Sequence, residues 1–599
     1  MRVRLTWLLW LVAVGGADEA TANWAEPVPG TLSVDASLQA DAASIATIGS
    51  TPYVAWEEVD SAGRSLIRVK RLEASGWASV GGALNVSTSR DAYSPSLASV
   101  GDVPYVAWEE YDGSHFQIRV KRLEAGSWTA VGDSLNVSTA RDASVASVAS
   151  VGSVPYVTWH ESDGTRTQIR VKRFDGSQWQ AIGGPVNFSG TMPARFASVA
   201  DVGGVPYLAW EEADGTAEQI RVARLDGAGW THLGGSLNVS GTQDANRPRI
   251  TSVAGVPYVA WTEDAPPGSQ VHVKRLDGAT WTPVGSALNM ATDDFTSSPY
   301  VAGLGSTAFV AWGEGIGDHA QLFAKRFDGN AWVPVGATLN ISTAFNASYP
   351  GVTTVGGVPY VSWDEYDSPT TRQIRVKRLE PDIVGESATP SLTGATLTAQ
   401  IDDFGLPLPI AFEYGPTAAF GTATPLQTTT GAGASTVTQD VGGLTSGTVY
   451  SYRAFGSDGT RQTSLGATQT FTTTAVAAPG VPVLTALKLT PATFRASKGT
   501  LVTYNDSVAA TTTFTVQRPT VGRRKGGACV KARKRPPKAK RCTRYAKMRS
   551  LTHADVAGAN RFRLKDRKLK PGAYRLRAVP RNSAGAGKAV TKRFRVKRR

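Results

Sequence analysis

The chain places a glutamate two residues after each of seven tryptophans: Glu58, Glu110, Glu161, Glu212, Glu263, Glu314 and Glu365. Shortly downstream of each comes an arginine, Arg71, Arg122, Arg173, Arg224, Arg275, Arg326 and Arg378. Seven carboxylates and seven guanidiniums at equivalent places most simply make one cross-strand or interblade ion pair per repeat. The chemical alternative is a ring of carboxylates converging on an axis, where it could hold a cation. Other candidate chemistry is sparse. The six histidines, His115, His160, His232, His272, His319 and His553, share no repeat position and form no HExxH-type spacing, so neither a metal nor a cofactor is expected. Carboxylate pairs abound in the loops, but abundance does not set the separation of about 5–9.5 Å that glycosidase chemistry requires, and no catalytic residue is assigned from sequence.

These residues sit on a repeat. Trp56, Trp108, Trp159, Trp210, Trp261, Trp312 and Trp363 close segments such as VPYVAW at steps of 51 or 52 residues. A second set, Trp77, Trp128, Trp179, Trp230, Trp281 and Trp332, interleaves with them, and Trp24 is an outlier near the start. Repeats of this length, rich in strand formers and turn glycines, predict four-stranded blades of a β-propeller. In the second blade the strands read as SLASV (96–100), VPYVAWEE (103–110), QIRVKRLE (117–124) and WTAVGDSLNV (128–137). Six repeats carry the outer segment typified by GATWTPVGSALN, whereas the seventh ends at QIRVKRLEPD without one. Its counterpart is NWAEPVPGTLSVD at 23–35, with Trp24 and Leu32, so the N-terminus should supply the last blade's outer strand and close the ring. The tryptophans are expected to wedge between blades, each N–H finding a partner at an edge.

Comparison among the repeats separates two faces. The turns between strands one and two and between three and four recur nearly unchanged. Those between strands two and three, and the connections between blades, differ in every repeat and open on one face, where loops on a rigid scaffold usually carry binding residues. Exposed aromatics there, Tyr93, Tyr111, Phe116 and Tyr366, with His115, are the candidate ligand-binding residues. Five of six Asn-x-Ser/Thr sites (Asn85, Asn136, Asn187, Asn238, Asn340, with Asn346 the exception) fall at one point of the repeat, which suggests a turn requirement.

The start, MRVRLTWLLWLVAVGGADEATAN, reads as a secretory signal over 1–22, and no later segment nears the length of a membrane span. The ring then covers 23–382. Residues 383–475 lose Trp and Lys and alternate as short strands. A linker at 476–483 leads into 484–599, again β, which has only Asp506, Asp555 and Asp566 as acids but holds 33 of the 63 Lys and Arg. A basic loop there carries Arg523, Arg524, Lys525, Lys531, Arg533, Lys534, Arg535, Lys538, Lys540 and Arg541, pinned by the expected disulfide Cys529–Cys542. Such a charge split suggests a polyanion partner. Outside a cell, teichoic-type polymers, acidic polysaccharide or anionic lipid heads are more available than nucleic acid.

Three stretches resemble known families. The DGxxW turn resembles the Asp-box of sialidases and related exo-glycosidases, but it lacks the serine two residues before the Asp, and no arginine triad matches; the likeness implies propeller architecture only. LTSGTVYSYRAFGSDG, with Leu444 and Tyr450, resembles the tyrosine corner of fibronectin type III domains, and FEYGPTAAFG is similar to the version in bacterial secreted proteins. LKPGAY, with Leu569 and Tyr574, suggests an Ig-like domain, and its basic Cys-paired character resembles end domains of actinobacterial secreted proteins. The expected fold is all-β: a seven-bladed β-propeller followed by two β-sandwich domains, fibronectin type III-like and Ig-like. The expected function is a monomeric, extracellular, non-enzymatic binding or adhesion protein whose ring recognises a carbohydrate or protein and whose basic end tethers it to an anionic envelope or matrix. The alternatives are a carbohydrate-active enzyme, glycosidase or lyase, with its site on the variable face, and a structural envelope component.

Overall fold

The computed structural model describes residues 23–291, 295–531 and 540–598; the expected secretory signal lies outside them. The described residues are all-β, with no helix long and apolar enough to cross a membrane, and divide into two compact units, the chain passing from one to the other after Thr474. The segment read from sequence as a separate domain, residues 383–475, falls within the first unit as far as Thr474.

Seven four-stranded antiparallel sheets fill the first part of that unit in a β-propeller-like arrangement, each built from consecutive strands except the one the N-terminus completes. The second sheet is representative: Ala92–Val100, Val103–Tyr111, Phe116–Glu124 and Ser127–Ala130. Its second strand is covered on both faces, as the unbroken apolar run predicts. All seven tryptophans that close these runs are fully buried. Each indole N–H donates to the glutamate two residues on, at 2.7–2.9 Å. Residues two apart on a strand share a face, so the carboxylate is delivered to the indole.

The same carboxylate accepts two backbone N–H groups from the connection entering its sheet; Glu110 takes those of Val86 and Ser87 at 2.8 and 2.9 Å. The ion pairs expected between these glutamates and the third-strand arginines are therefore not made. Register explains the difference: Glu58 faces Leu66, while Arg71 faces Tyr53 at the other end of the strand pair. Arg71, Arg122, Arg224, Arg275 and Arg378 pair instead with the acid two residues further on, Glu73, Glu124, Asp226, Asp277 and Glu380. Nor do Glu58 and its equivalents converge on an axis; each is a buried clamp tying a connection to a tryptophan.

Tryptophans of the second set reach into the neighbouring sheet. The indoles of Trp24, Trp128, Trp179, Trp230, Trp281 and Trp332 donate to Val335, Val80, Val131, Ile182, Leu233 and Val284 carbonyls at 2.6–3.0 Å. Trp77 is the exception, its Nε1 without a partner, because the outer segment before it is the N-terminal one, a residue longer between Trp24 and Leu32 than the others. That segment closes the ring: Asn23–Ala25 pairs antiparallel with Arg372–Glu380, Trp24 opposite Leu379, and Leu32 N–H donates to Ile374 O at 3.0 Å. The Asn85-type amides are buried in the same scaffold. Asn85 accepts Ile67 N–H and donates to Ser65 and Arg90 carbonyls, a turn role that leaves the amide no room for a glycan.

Residues 382–474 form two antiparallel sheets around Leu397, Phe412, Val437, Tyr452 and Phe471. They seat on the ring at its invariant turns, where Tyr360 Oη donates to Asp458 at 2.7 Å, Arg461 donates to Leu72 O at 2.7 Å and Arg326 to Phe404 O. The face with the variable loops stays clear of these contacts. In the second unit, two sheets enclose Phe494, Tyr504, Phe514, Tyr574 and Phe594, and Cys529 and Cys542 are disulfide-bonded, as the sequence leads one to expect.

Candidate functional site

The first strand of every sheet breaks its own alternation. Register shifts follow Asp41, Tyr93, Ser144, Arg195, Asn246, Ser297 and Ser348. The next residue in each, Ala42, Ser94, Val145, Phe196, Arg247, Ser298 or Tyr349, has φ between 46° and 52°. Seven β-bulges of this kind re-aim the chain at one level of the ring. There the inner strands surround a cavity of about 940 Å³ to which all seven contribute.

The bulge turns a backbone N–H toward the neighbouring sheet, where it meets the residue directly after the buried tryptophan. Ser94 N–H donates to Glu57 at 2.9 Å, Val145 N–H to Glu109 at 2.8 Å and Arg247 N–H to Glu211 at 2.9 Å. The seven residues at this position are Glu57, Glu109, His160, Glu211, Thr262, Gly313 and Asp364. Unlike the invariant glutamate that follows, this position varies, and through Glu57 and Glu109 it brings carboxylates to the cavity wall.

Burial dominates the electrostatics. Glu57 is pushed up to about 7 by desolvation, opposed by the Ser94 N–H and reinforced by the negative charges of Asp41 and Glu109. Desolvation also raises Glu109, against the pull of Val145 N–H, and Glu211, against Arg247 N–H and Arg195. Asp364, fully buried, is raised by desolvation and then by Asp41. Its Oδ2 accepts Ser348 Oγ at 2.9 Å and lies 3.3 Å from Arg372 Nε, while Oδ1 has no partner. Arg372 Nη1 donates to Asp41, so one guanidinium joins two carboxylates from the two ends of the closed ring. Desolvation, with Arg195 nearby, pulls His160 down to about 4 and keeps it neutral.

Three of the sequence-named aromatics meet beside this cluster. Phe116 lies 6.0 Å from Tyr93 and 5.4 Å from Tyr111, and Tyr93 lines the cavity facing Glu109 across the strands. Tyr366 stands on the other side, its Oη accepting from Arg372 Nη2 at 3.1 Å and its ring 4.7 Å from that guanidinium. His115 is apart from both, 3.4 Å from Asp142 at a turn. In the second unit Arg524, Lys525, Lys531, Lys540 and Arg541 are exposed around the disulfide and Arg523 is half-buried; Arg533, Lys534, Arg535 and Lys538 lie outside the described residues. Sequence reasoning missed Asp41, Glu57, Glu109, Asp364 and Arg372. The available signal was variation directly after each tryptophan, masked by the regular glutamate one residue later.

The chain is thus an all-β protein of β-propeller-like architecture with an acid-lined axial cavity. No family model and no curated protein matches it. Among solved structures it is similar to a glycoside hydrolase (13% identity, 41% of this chain and 88% of that one, TM-score 0.28). It is also similar to the polysaccharide lyase Uly1 (8%, 56% and 89%, TM-score 0.39). A third is the β-propeller domain of the Trilobed protease from Pyrococcus furiosus (9%, 57% and 97%, TM-score 0.37).

Proposed function

We propose that the protein is an exported carbohydrate-active enzyme, a glycoside hydrolase working at the acidic end of the axial cavity of a seven-bladed propeller. The observation that carries this reading is the pair Glu57 and Asp41. They face one another across the first two strands of the first sheet, with Glu57 pushed up to about 7 and Asp41 joined to Arg372. Glycoside cleavage needs a carboxyl group that keeps its proton near neutrality to protonate the leaving oxygen, and a second carboxylate as nucleophile or base. Glu57 has the environment of the first and Asp41 that of the second. Asp364 is a positioning residue that aims Arg372 at Asp41. Tyr93, Phe116 and Tyr111 offer ring faces against which a sugar could stack. Sequence alone put non-enzymatic binding first; the acid pair turns the reading to its alternative.

The test is release of reducing ends from a panel of plant and microbial glycans by the full chain and its Asp41→Asn variant. The expected result is cleavage of at least one glycan and a rate about a hundredfold or more lower in the variant. Salt-resistant binding without release by either protein would replace hydrolysis with recognition. A product bearing a new double bond would make the chemistry elimination.

In the same reading residues 383–475 are a type III-like spacer, and 484–599 an Ig-like domain that tethers the enzyme to an anionic envelope polymer or polysaccharide. Support for the corners comes from Tyr450 Oη, which accepts Thr445 N–H at 3.0 Å, and Tyr574 Oη, which donates to Lys570 O at 2.8 Å. The exposed cations around the disulfide support the tether. A charge tether is screened by salt, so retention of the full chain on a polygalacturonate matrix is expected at low ionic strength and lost at high. Retention equal at both would argue against it.

A further inference from the structure

The wall of the axial cavity is regular on one side and irregular on the other. Two residues inward from the bulge, four successive inner strands carry Ser44, Ser96, Ser147 and Ser198. Each hydroxyl accepts a backbone N–H of the next inner strand, from Leu97, Val148, Val199 and Ile250, at 3.0–3.5 Å. These serines are scaffold: they staple neighbouring strands and leave a small neutral surface. In the next three strands the same position is held by Arg249, Tyr300 and Gly351, and the serine staple is absent. At the bulge itself the small Ala42, Ser94 and Val145 give way to Phe196, Arg247 and Tyr349, with the small Ser298 between the last two.

Departure from the repeat therefore gathers two arginines and three aromatic rings on one wall. The Arg247 guanidinium lies 4.9 Å from the Phe196 ring and 5.5 Å from Tyr349; that of Arg249 lies 5.6 Å from Tyr300. The rings supply flat support that orients each guanidinium but no counter-charge.

The carboxylates lining the cavity, Asp41, Glu57 and Glu109, and those buried behind its wall, Glu211 and Asp364, all have other partners. Glu211 takes Arg195 at 2.6 Å and the backbone, not the side chain, of Arg247; Asp41 and Asp364 share Arg372; Glu57 and Glu109 accept bulge N–H groups. Neither Arg247 nor Arg249 has an ion-pair partner among the described residues. Arg249 lines the lumen and is exposed to it; desolvation by the surrounding wall, opposed by Tyr300 and reinforced by the like charge of Arg247, disfavours its charged form. Two cations that line the cavity with no carboxylate partner of their own would be relieved of their mutual repulsion by a bound oxyanion.

We propose that Arg247 and Arg249 form an oxyanion subsite in the axial cavity, which takes the carboxylate or sulfate of an acidic glycan. The glycan part rests on the proposed function; the anion site does not. Both substituents present coplanar or forked oxygens to the N–H fork of a guanidinium.

The test is calorimetric titration of the full chain with trigalacturonate, its methyl ester and a sulfated trisaccharide. Titrations are repeated in Arg249→Gln, Arg249→Lys and, as a control for the basic end, Arg524→Gln/Lys525→Gln. Trigalacturonate is expected to bind about 10–100-fold more tightly than the ester, with that advantage lost in Arg249→Gln, reduced in Arg249→Lys and kept in the control. The same pattern for the sulfated sugar alone assigns the site to sulfate. Acid and ester binding alike, or an advantage that survives Arg249→Gln or disappears in the control, overturns the subsite. Acid-selective binding through Arg249 with no cleavage by the unaltered protein would leave the subsite standing and dismiss the hydrolase reading.

Discussion

On whichever glycan the protein cleaves, Glu57→Gln is expected to lower kcat/KM by about a hundred- to ten-thousand-fold, the usual worth of a positioned general acid. Glutamine keeps the shape and can still accept the Ser94 N–H, so the loss would report the missing proton. The pH profile separates this from a structural effect. Glu57 is raised to about 7, chiefly by burial, so its protonated form is the majority below that value. For the unaltered enzyme kcat/KM is expected to fall as pH rises through about 7, and in Glu57→Gln that limb should vanish along with most of the rate. Stability has the same sign. A carboxyl group whose value in the folded protein lies above its unfolded one favours folding while protonated, and its contribution is lost as pH climbs from the ordinary carboxylate range through about 7. Glu57→Gln should therefore melt higher than the parent above neutrality. An alkaline limb that persists in the variant would move the acid to Glu109 or Asp364, both also raised by burial.

The all-β, propeller-like character was legible because it is written locally and many times over: VPYVAW needs only its own strand to be read as buried on both faces. What escaped reading has two physical causes. A bulge breaks alternation, so the inner strand of the second sheet reads as SLASV, whereas it begins at Ala92, four residues earlier. Its outer strand reads as far as Val137 but ends at Ala130, since Gly132 turns to positive φ and the Asn136 side chain takes over the bond to Ile118 N–H. The site itself escaped for the second cause. Asp41 and Arg372 are 331 residues apart and meet only because the ring closes between them. No spacing within one repeat could have paired them, and the invariant glutamates drew attention to a position whose carboxylates are all engaged in the scaffold. Tyr93 and Tyr366 were found because they stand in the variable connections, and a search for departures from the repeat one residue after each tryptophan would have singled out Asp364 but not Glu57, which shares its residue type with Glu109 and Glu211.

Removal of residues 23–35 is expected to cost the ring more stability than any single substitution in its interior. Leu32 is 1% exposed and Trp24 packs edge-on to Phe309 at 6.3 Å while donating to Val335 O. Losing a buried leucine alone costs about 2–5 kcal/mol and a packed tryptophan about 3–5 kcal/mol. Deletion also bares the edge of Arg372–Glu380 to pairing with a second chain. The readouts are differential scanning calorimetry, where the ring transition should drop by more than 10 °C, on the order of what several kcal/mol imply for a large domain, and light scattering, where association should rise with concentration. A synthetic peptide of residues 23–35 added in trans should restore part of the transition temperature, because it restores the missing strand and both anchors without a covalent link. A deleted chain that stays monomeric and melts where the parent does would mean that the inner-strand contacts, such as Thr47 Oγ1 to Thr354 O at 2.7 Å, close the ring on their own. The consequence reaches the site. Asp41 stands on the first sheet and Arg372 and Asp364 on the last, so whatever loosens this seam should also disperse the acid cluster, and loss of the strand should abolish turnover at temperatures well below the melting of the remaining sheets.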